Sequence, residues 1–212
     1  MASRPPTSSR RFCRPTVNKG RSERPAVFLD RDGTINVEKD YLHRVEDFEF
    51  ISGVPEAIRR LNEAGFLVIV TTNQSGVARG YYPLAAVEAL HRHLQAELAP
   101  YGASIDAFYI CPHHPQAGVG EYRIECDCRK GRPGMLLQAA TEHGIDLASS
   151  WMVGDKAADV EAGVAAGCRP LLVLTGYGRQ ESEGLPETAA PRLPNLPEAV
   201  EYILSQAHLA QS

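Results

Sequence analysis

Apolar residues gather in five short runs: AVFLD at 26–30, LVIVT at 67–71, IDAFYI at 105–110, SWMV at 150–153 and PLLVL at 170–174. Runs of this length read as strands. Between them the spacing of apolar positions predicts helices over 54–64, 83–99, 133–143 and 156–166, with a last one over 197–208. Strand and helix therefore alternate, which implies a mainly parallel sheet covered on both faces and joined by right-handed crossovers. The expected fold is α/β, a Rossmann-like three-layer sandwich. The stretch 176–196, rich in Gly, Pro and Glu, reads as a surface loop.

In open sheets of this kind, functional groups collect at the carboxyl ends of the strands. Asp30 and Asp32 follow the first run, Thr72 and Asn73 the second, Cys111 and His113 the third, and Asp155 the fourth. Within LDRDGT the two carboxylates stand two residues apart, so extended geometry points both one way and Arg31 elsewhere. Gly33 then permits a sharp departure of the chain. Two acids on one edge can hold a divalent cation, or divide the work of nucleophile and general acid. Both acidic segments also have bland readings, since D-x-D-G is a common turn and Asp155, at the start of a helix, is a favoured N-cap. Convergence of two distant strands on one edge favours a metal site.

Lys130 and Lys156 supply positive charge, and Thr72 and Asn73 supply neutral donors. That mixture suits phosphate-ester hydrolysis. An aspartate approaching a phosphate dianion at ~4 Å meets repulsion of about 4 kcal/mol per charge pair at an effective dielectric of ~20. A Mg²⁺ held by Asp30 and Asp155, together with Lys130, turns that repulsion into attraction. Asp32 is then placed to protonate the leaving alkoxide and afterwards to take a proton from the attacking water.

The chain has 212 residues, 43% hydrophobic and 23% charged, which fits one soluble domain with a real core. The longest apolar run is far shorter than the ~20 residues of a bilayer-spanning helix, so no membrane partner is expected. Residues 1–25 hold seven basic groups and one acid; of the chain's 22 basic and 26 acidic residues, 15 and 25 remain, leaving the body at −10. So acidic a body is a poor nucleic-acid binder. Residues 1–25 read as a disordered basic tail without a secretory apolar segment, and 26–212 as the domain.

Five cysteines cannot all pair, and three crowd between 111 and 128. Cys111-x-His113 and Cys126-x-Cys128 suit a tetrahedral structural Zn²⁺ that pins the loop 111–128 and leaves no position open for water. Alternation from Cys111 selects His113 over His114. Cys13 and Cys168 receive no role. A reducing cytoplasm and a monomer are expected.

D-R-D-G-T at 30–34, T-N at 72–73, Lys130 and G-D-x-x-x-D at 154–159 resemble the four motifs of the haloacid dehalogenase superfamily of phosphohydrolases. The resemblance implies Asp30 as nucleophile, Asp32 as general acid/base, Thr72 and Lys130 as phosphoryl binders, and Asp155 as a Mg²⁺ ligand. It adds the backbone carbonyl of Asp32 as a further ligand.

With FLDRDGTIN, TNQSGVARG, CPHHP and CDCRKGRPGM, residues 26–175 are similar to the D-glycero-D-manno-heptose 1,7-bisphosphate 7-phosphatase family. These are bacterial enzymes of nucleotide-activated heptose synthesis, which supplies lipopolysaccharide core precursors. The likeness implies a capless fold whose pocket is shaped by the zinc loop and by a flap after the nucleophile. It implies a small-molecule sugar bisphosphate bound by Glu38, Lys39, Asp40 and Tyr41 on the flap, Thr72, Asn73, Gln74 and Ser75, Arg129 with Lys130, and Lys156. Arg129 suits a second phosphate, which a guanidinium holds bidentately.

One departure stands out. Gly131-Arg132 occupies the place where the family often has proline, which would loosen the backbone beside Arg129. Histidinol-phosphate phosphatases share the motifs but have a shorter stretch before the second cysteine pair and often Arg after the fourth-motif Asp. Twelve residues between His113 and Cys126, and Lys156 after Asp155, favour the heptose family. A non-enzymatic binding module would be expected to lose Asp30 or Asp32, and both are present.

Overall fold

The computed structural model describes residues 23–209, so the expectations for the basic tail up to residue 22, Cys13 included, lie outside the described residues. Six strands, β1 (Ala26–Leu29), β2 (Leu67–Asn73), β3 (Ala107–Cys111), β4 (Trp151–Gly154), β5 (Arg169–Val173) and β6 (Arg192–Leu193), form one sheet. Its order is β3-β2-β1-β4-β5-β6 and every pair is parallel. The helices are α1 (Val54–Glu63), α2 (Ser75–Ala78), α3 (Leu84–Leu98), α4 (Gly134–His143), α5 (Ala157–Ala166), α6 (Gly178–Gly184) and α7 (Leu196–Leu209).

Alternate strand residues serve opposite faces. Val27, Leu29, Val68, Val70, Val153 and Leu171 pack against α1, α7 and the end of α3 through Ile58, Leu61, Leu98, Val200 and Ile203. Ala26, Phe28, Leu67, Ile69 and Met152 pack against α4 and α5 through Met135, Leu136, Ala139 and Ala162. Burial on both faces explains why the strands read as unbroken apolar runs. Full burial of each large side chain contributes roughly 1.5–3 kcal/mol.

Two local expectations, and one bland alternative, need correction. The stretch 176–196 is no featureless loop, since it carries α6 and the edge strand β6. The first is GRQESEG, which has no apolar face to reveal it, and the second is two residues long and is held by a ladder with β5. The backbone beside Arg129 is fixed rather than loose: Gly131 has φ +89° and its N–H donates to Ala158 O at 2.9 Å. Proline, with φ near −65°, is barred from that conformation. Finally, Asp155 does not cap α5. Lys156 is the N-cap residue, and Asp159 at the third helical position accepts its N–H at 3.0 Å.

The chain winds outward from β1 to β3 on one side and from β4 to β6 on the other, so β1 and β4 are neighbours where the winding reverses. Ligands favour such a switch point, at the carboxyl ends of the strands.

Candidate active site and metal centres

Asp30 and Asp155 stand at that point, directly after β1 and β4, and Asp30 N–H donates to Val153 O at 2.9 Å. One carboxylate oxygen each from Asp30, Asp155 and Asp159 lies within 4.8 Å of the others, and all three residues are buried. Lys130 Nζ is inserted among them, 2.6 Å from Asp30 Oδ1 and 2.7 Å from Asp159 Oδ1, and donates to Thr71 O at 2.8 Å. Asn73, at the end of β2, aims that lysine by accepting Lys130 N–H at 2.9 Å. A side chain at Gly33 or Gly176 would collide with Asp155 Oδ2.

One buried ammonium against three buried carboxylates leaves negative charge unbalanced. Asp155 Oδ1 is buried and has no hydrogen-bond partner among the described residues. Burial, and the charge of Asp30, push the Asp155 carboxyl up to about 8; burial pushes Asp159 up to about 6 against the pull of Lys130. An oxygen-seeking divalent cation answers this combination, so the cluster can hold a metal.

Asp32 looks elsewhere. Its carboxylate receives Arg31 Nη2 at 2.8 and 2.9 Å, Arg31 Nε at 3.1 Å, Asn36 Nδ2 at 3.0 Å and Gln74 Nε2 at 3.1 Å. Burial raises its proton affinity, but the Arg31 charge and these donors outweigh burial and hold it below the ordinary 3.8. Strand alternation placed Arg31 away from the acids, yet its long side chain curls back onto Asp32 and is fully buried.

Asp30, Asp32, Lys130 and Asp159 floor an open cavity of about 440 Å³, with Asp155 buried beneath them. Of the residues singled out in the sequence, Asp30, Asp32, Glu38, Asp40, Tyr41, Thr72, Asn73, Gln74, Ser75, Lys130 and Lys156 line it. Lys39 turns outward to Asp47 O and Glu49. Arg129 lines a neighbouring recess and donates to His113 O at 3.0 Å. Lys156 lies 3.4 Å from Glu38 and 4.7 Å from the centre of the Tyr177 ring.

Sequence reasoning assigned no role to Tyr82, Asp159, Tyr177, Gln180 or Glu181, which also line the cavity. Asp159 had a signal, as the last acid of G-D-x-x-x-D. Tyr177 had none: its N–H donates to Asp155 Oδ2 at 2.8 Å and its hydroxyl to Asp40 Oδ1 at 2.6 Å, bonds across 22 and 137 residues.

Beyond the end of β3, Cys111, His113, Cys126 and Cys128 converge with their ligand atoms all within 4.8 Å. The three Sγ–Sγ separations are 3.2, 3.4 and 3.6 Å, and His113 Nδ1 lies 3.3 Å from Cys128 Sγ. Bonds of ~2.3 Å in a tetrahedron set sulfurs ~3.8 Å apart, so the cluster can hold a metal of that geometry with every position filled by protein. Burial pushes the Cys111 and Cys128 thiols up, so they ionise together only against a cation. His114 accepts the Gln116 and Ala117 N–H groups and shapes the turn instead.

Residues 127–199 match the HAD-hydrolase-like family model. The D-glycero-beta-D-manno-heptose-1,7-bisphosphate 7-phosphatase of Escherichia coli (strain K12) is 48% identical over 178 residues, covering 83% of this chain and 93% of that one. The D-glycero-D-manno-heptose-1,7-bisphosphate 7-phosphatase of Thermosynechococcus vestitus is 47% identical over 194 residues, covering 88% and 98%. The crystal structure of D,D-heptose 1,7-bisphosphate phosphatase from B. bronchiseptica, complexed with magnesium and phosphate, superposes with a TM-score of 0.77 at 37% identity, covering 86% of this chain and 99% of that one. With relatives this similar over most of its length, and with their fold, the chain belongs to the D-glycero-D-manno-heptose 1,7-bisphosphate 7-phosphatase family of HAD-like hydrolases.

Proposed function

We propose that this chain is a Mg²⁺-dependent phosphatase that removes the 7-phosphate of D-glycero-D-manno-heptose 1,7-bisphosphate through an aspartyl phosphate on Asp30. The observation that carries the reading is Asp30 itself, buried on the floor of the cavity and paired with Lys130 beside Asp155 and Asp159. Asp30, Asp155 and the Asp32 backbone carbonyl would hold Mg²⁺, which when bound supplies neutralising charge for the phosphoryl oxygens.

A carboxylate oxygen of Asp30 attacks phosphorus as the bond to the sugar oxygen breaks. Lys130 and Thr72 hold the phosphoryl oxygens in line. Asp32, ionised at rest, gains proton affinity when the substrate's negative charge enters beside it, takes up a proton from the phosphate monoanion or from solvent as substrate binds, and gives that proton to the departing alkoxide. It then accepts a proton from water, which attacks phosphorus and releases Asp30 and inorganic phosphate.

Lys156 and the flap residues Glu38, Asp40 and Tyr41 face the sugar, while Arg129, in a recess that shares Lys130 with the cavity, would serve the second phosphate. Zn²⁺ at Cys111, His113, Cys126 and Cys128 would be structural and would pin the rim that carries Arg129 and Lys130. No helix among the described residues is long and apolar enough to cross a membrane. Thiolate ligation needs reduced cysteines, which supports a reducing cytoplasm, and one chain supplies every group named, which supports action as a monomer.

The test is a substrate panel of both anomers of the heptose bisphosphate, histidinol phosphate and hexose phosphates. The expected result is a kcat/KM for one heptose bisphosphate anomer at least about tenfold above every non-heptose substrate, a margin of ~1.4 kcal/mol. Histidinol phosphate in first place would overturn the substrate. Asp30→Asn is expected to lose phosphate release by at least about a thousandfold with an unchanged circular dichroism spectrum. Full activity in that variant would remove the covalent step.

A further inference from the structure

Arg31, a cation, is among the largest fully buried side chains of the described residues; its backbone N–H donates to Asp30 Oδ1 at 2.7 Å, while its guanidinium pairs with Asp32 and with none of the three carboxylates around Lys130. Its donors are spent on three separate segments. Nε and Nη2 grip Asp32, Nη2 also donates to Leu42 O on the flap at 3.2 Å, and Nη1 lies 3.4 Å from His91 Nε2 on α3. His91 is 5% exposed and stacks on Phe108, with ring centres 4.4 Å apart. Burial, and the charge of Arg31, push its imidazole down to about 3, so the ring is neutral and Nε2 is free to accept from the guanidinium.

A buried ion pair is weak evidence for stability, since well-packed apolar residues of similar volume often do as well. What an arginine offers that they lack is a rigid planar fork. Here the fork holds one acid in one orientation. The flap carbonyl it also holds follows two residues in the left-handed region, Asp40 at φ 43° and Tyr41 at φ 62°, a conformation that persists only when its surroundings fix it.

We propose that Arg31 and His91 are positioning residues for proton transfer: His91 aims the Arg31 fork, and the fork fixes both the Asp32 carboxylate and the seat of the flap. The inference rests on the role assigned above to Asp32. It goes further in naming two residues that never touch substrate and in stating which half of the chemistry they serve. Phosphoryl transfer from a sugar alkoxide needs a proton delivered to the leaving oxygen, whereas transfer from an aryl phosphate does not. Asp32 also activates the water that releases Asp30, a later step common to both substrates, but kcat/KM reads only through the first transfer. Misplacing Asp32 therefore lowers kcat/KM for the sugar phosphate and spares it for the aryl phosphate, while a general loss of structure lowers both.

The experiment compares kcat/KM for heptose 1,7-bisphosphate and for p-nitrophenyl phosphate in wild type, His91→Leu, His91→Gln and Arg31→Lys. His91→Leu removes the acceptor and is expected to cut the sugar reaction at least about tenfold and the aryl reaction less than about threefold. His91→Gln returns a neutral acceptor and is expected to restore the sugar reaction to within about threefold of wild type. Arg31→Lys keeps the charge without the fork, and should show the same selective loss should His91→Leu fail to fold. Equal losses on both substrates, no loss, or a Gln variant no better than Leu would overturn the proposal. Wild type that hydrolyses neither substrate would instead overturn the phosphatase reading, which separates the two failures.

Discussion

A histidine that stays uncharged inside the core leaves a pH signature. His91 is held near 3 by burial and the Arg31 charge, against an ordinary value of 6.5. Below pH 6.5 the unfolded chain therefore binds a proton that the folded chain refuses, and folded stability falls as pH drops from 6.5 toward 3, by up to about 1.4 kcal/mol per pH unit. Urea unfolding of wild type and His91→Gln at pH 8 and pH 5 checks this. Wild type should lose about 1–2 kcal/mol relative to the variant at the lower pH; a pH-independent difference would show that the ring protonates in place.

The same neighbourhood marks how far single residues were legible in the sequence. Asp30 and Asp155 could be found because each follows an apolar run, and parallel topology sends all such ends to one edge. Arg31 could not, because alternation fixes only the direction of a Cβ, and a side chain with three methylenes can return to the face it left. Asp159 was visible in its motif, but its partner Lys130 lies 29 residues earlier and no periodicity links them.

Elements were legible where an apolar stripe or run defines them, as in β1, β2, α1 and α3. They were not where tertiary contact alone creates them. The polar α6 is anchored by Glu181, which accepts Ala157 N–H at 2.9 Å, and by Tyr177 just before it on Asp155 and Asp40. The loop 111–128 is the opposite case, irregular in conformation yet announced by ligand spacing. Elemental analysis should find one zinc per chain bound there. Cys126→Ser is expected to lower Tm by about 5–10 °C, equivalent to ~2–3 kcal/mol, and to reduce activity through Arg129, which is tied to the His113 carbonyl. A zinc-free chain with unchanged Tm and turnover would remove the structural role.

For the whole molecule, the reversal of winding between β1 and β4 concentrates like charge at one point, and stability should reflect it. Without a cation, Asp155 is raised from 3.8 to about 8. An acid whose folded value is raised stabilises the fold at low pH and loses that contribution as pH climbs through the folded value. Stability in chelator should therefore decline between about pH 4 and 8 on this account. Added Mg²⁺ should raise Tm more at pH 8.5 than at pH 6, because protons compete for the same oxygens at the lower pH. Thermal unfolding at both pH values, with and without 5–10 mM Mg²⁺ (roughly a saturating range), decides it; an equal gain at both would place the cation elsewhere.

Gly33 and Gly176 leave no room beside Asp155, and Gly154 leaves none beside Asp159. Any single-base change in a glycine codon that alters the residue brings in at least a methyl group or halts translation. Descent can therefore rework the flap, while these three positions stay glycine. New substrates would be reached by redecorating the rim around an immovable pivot.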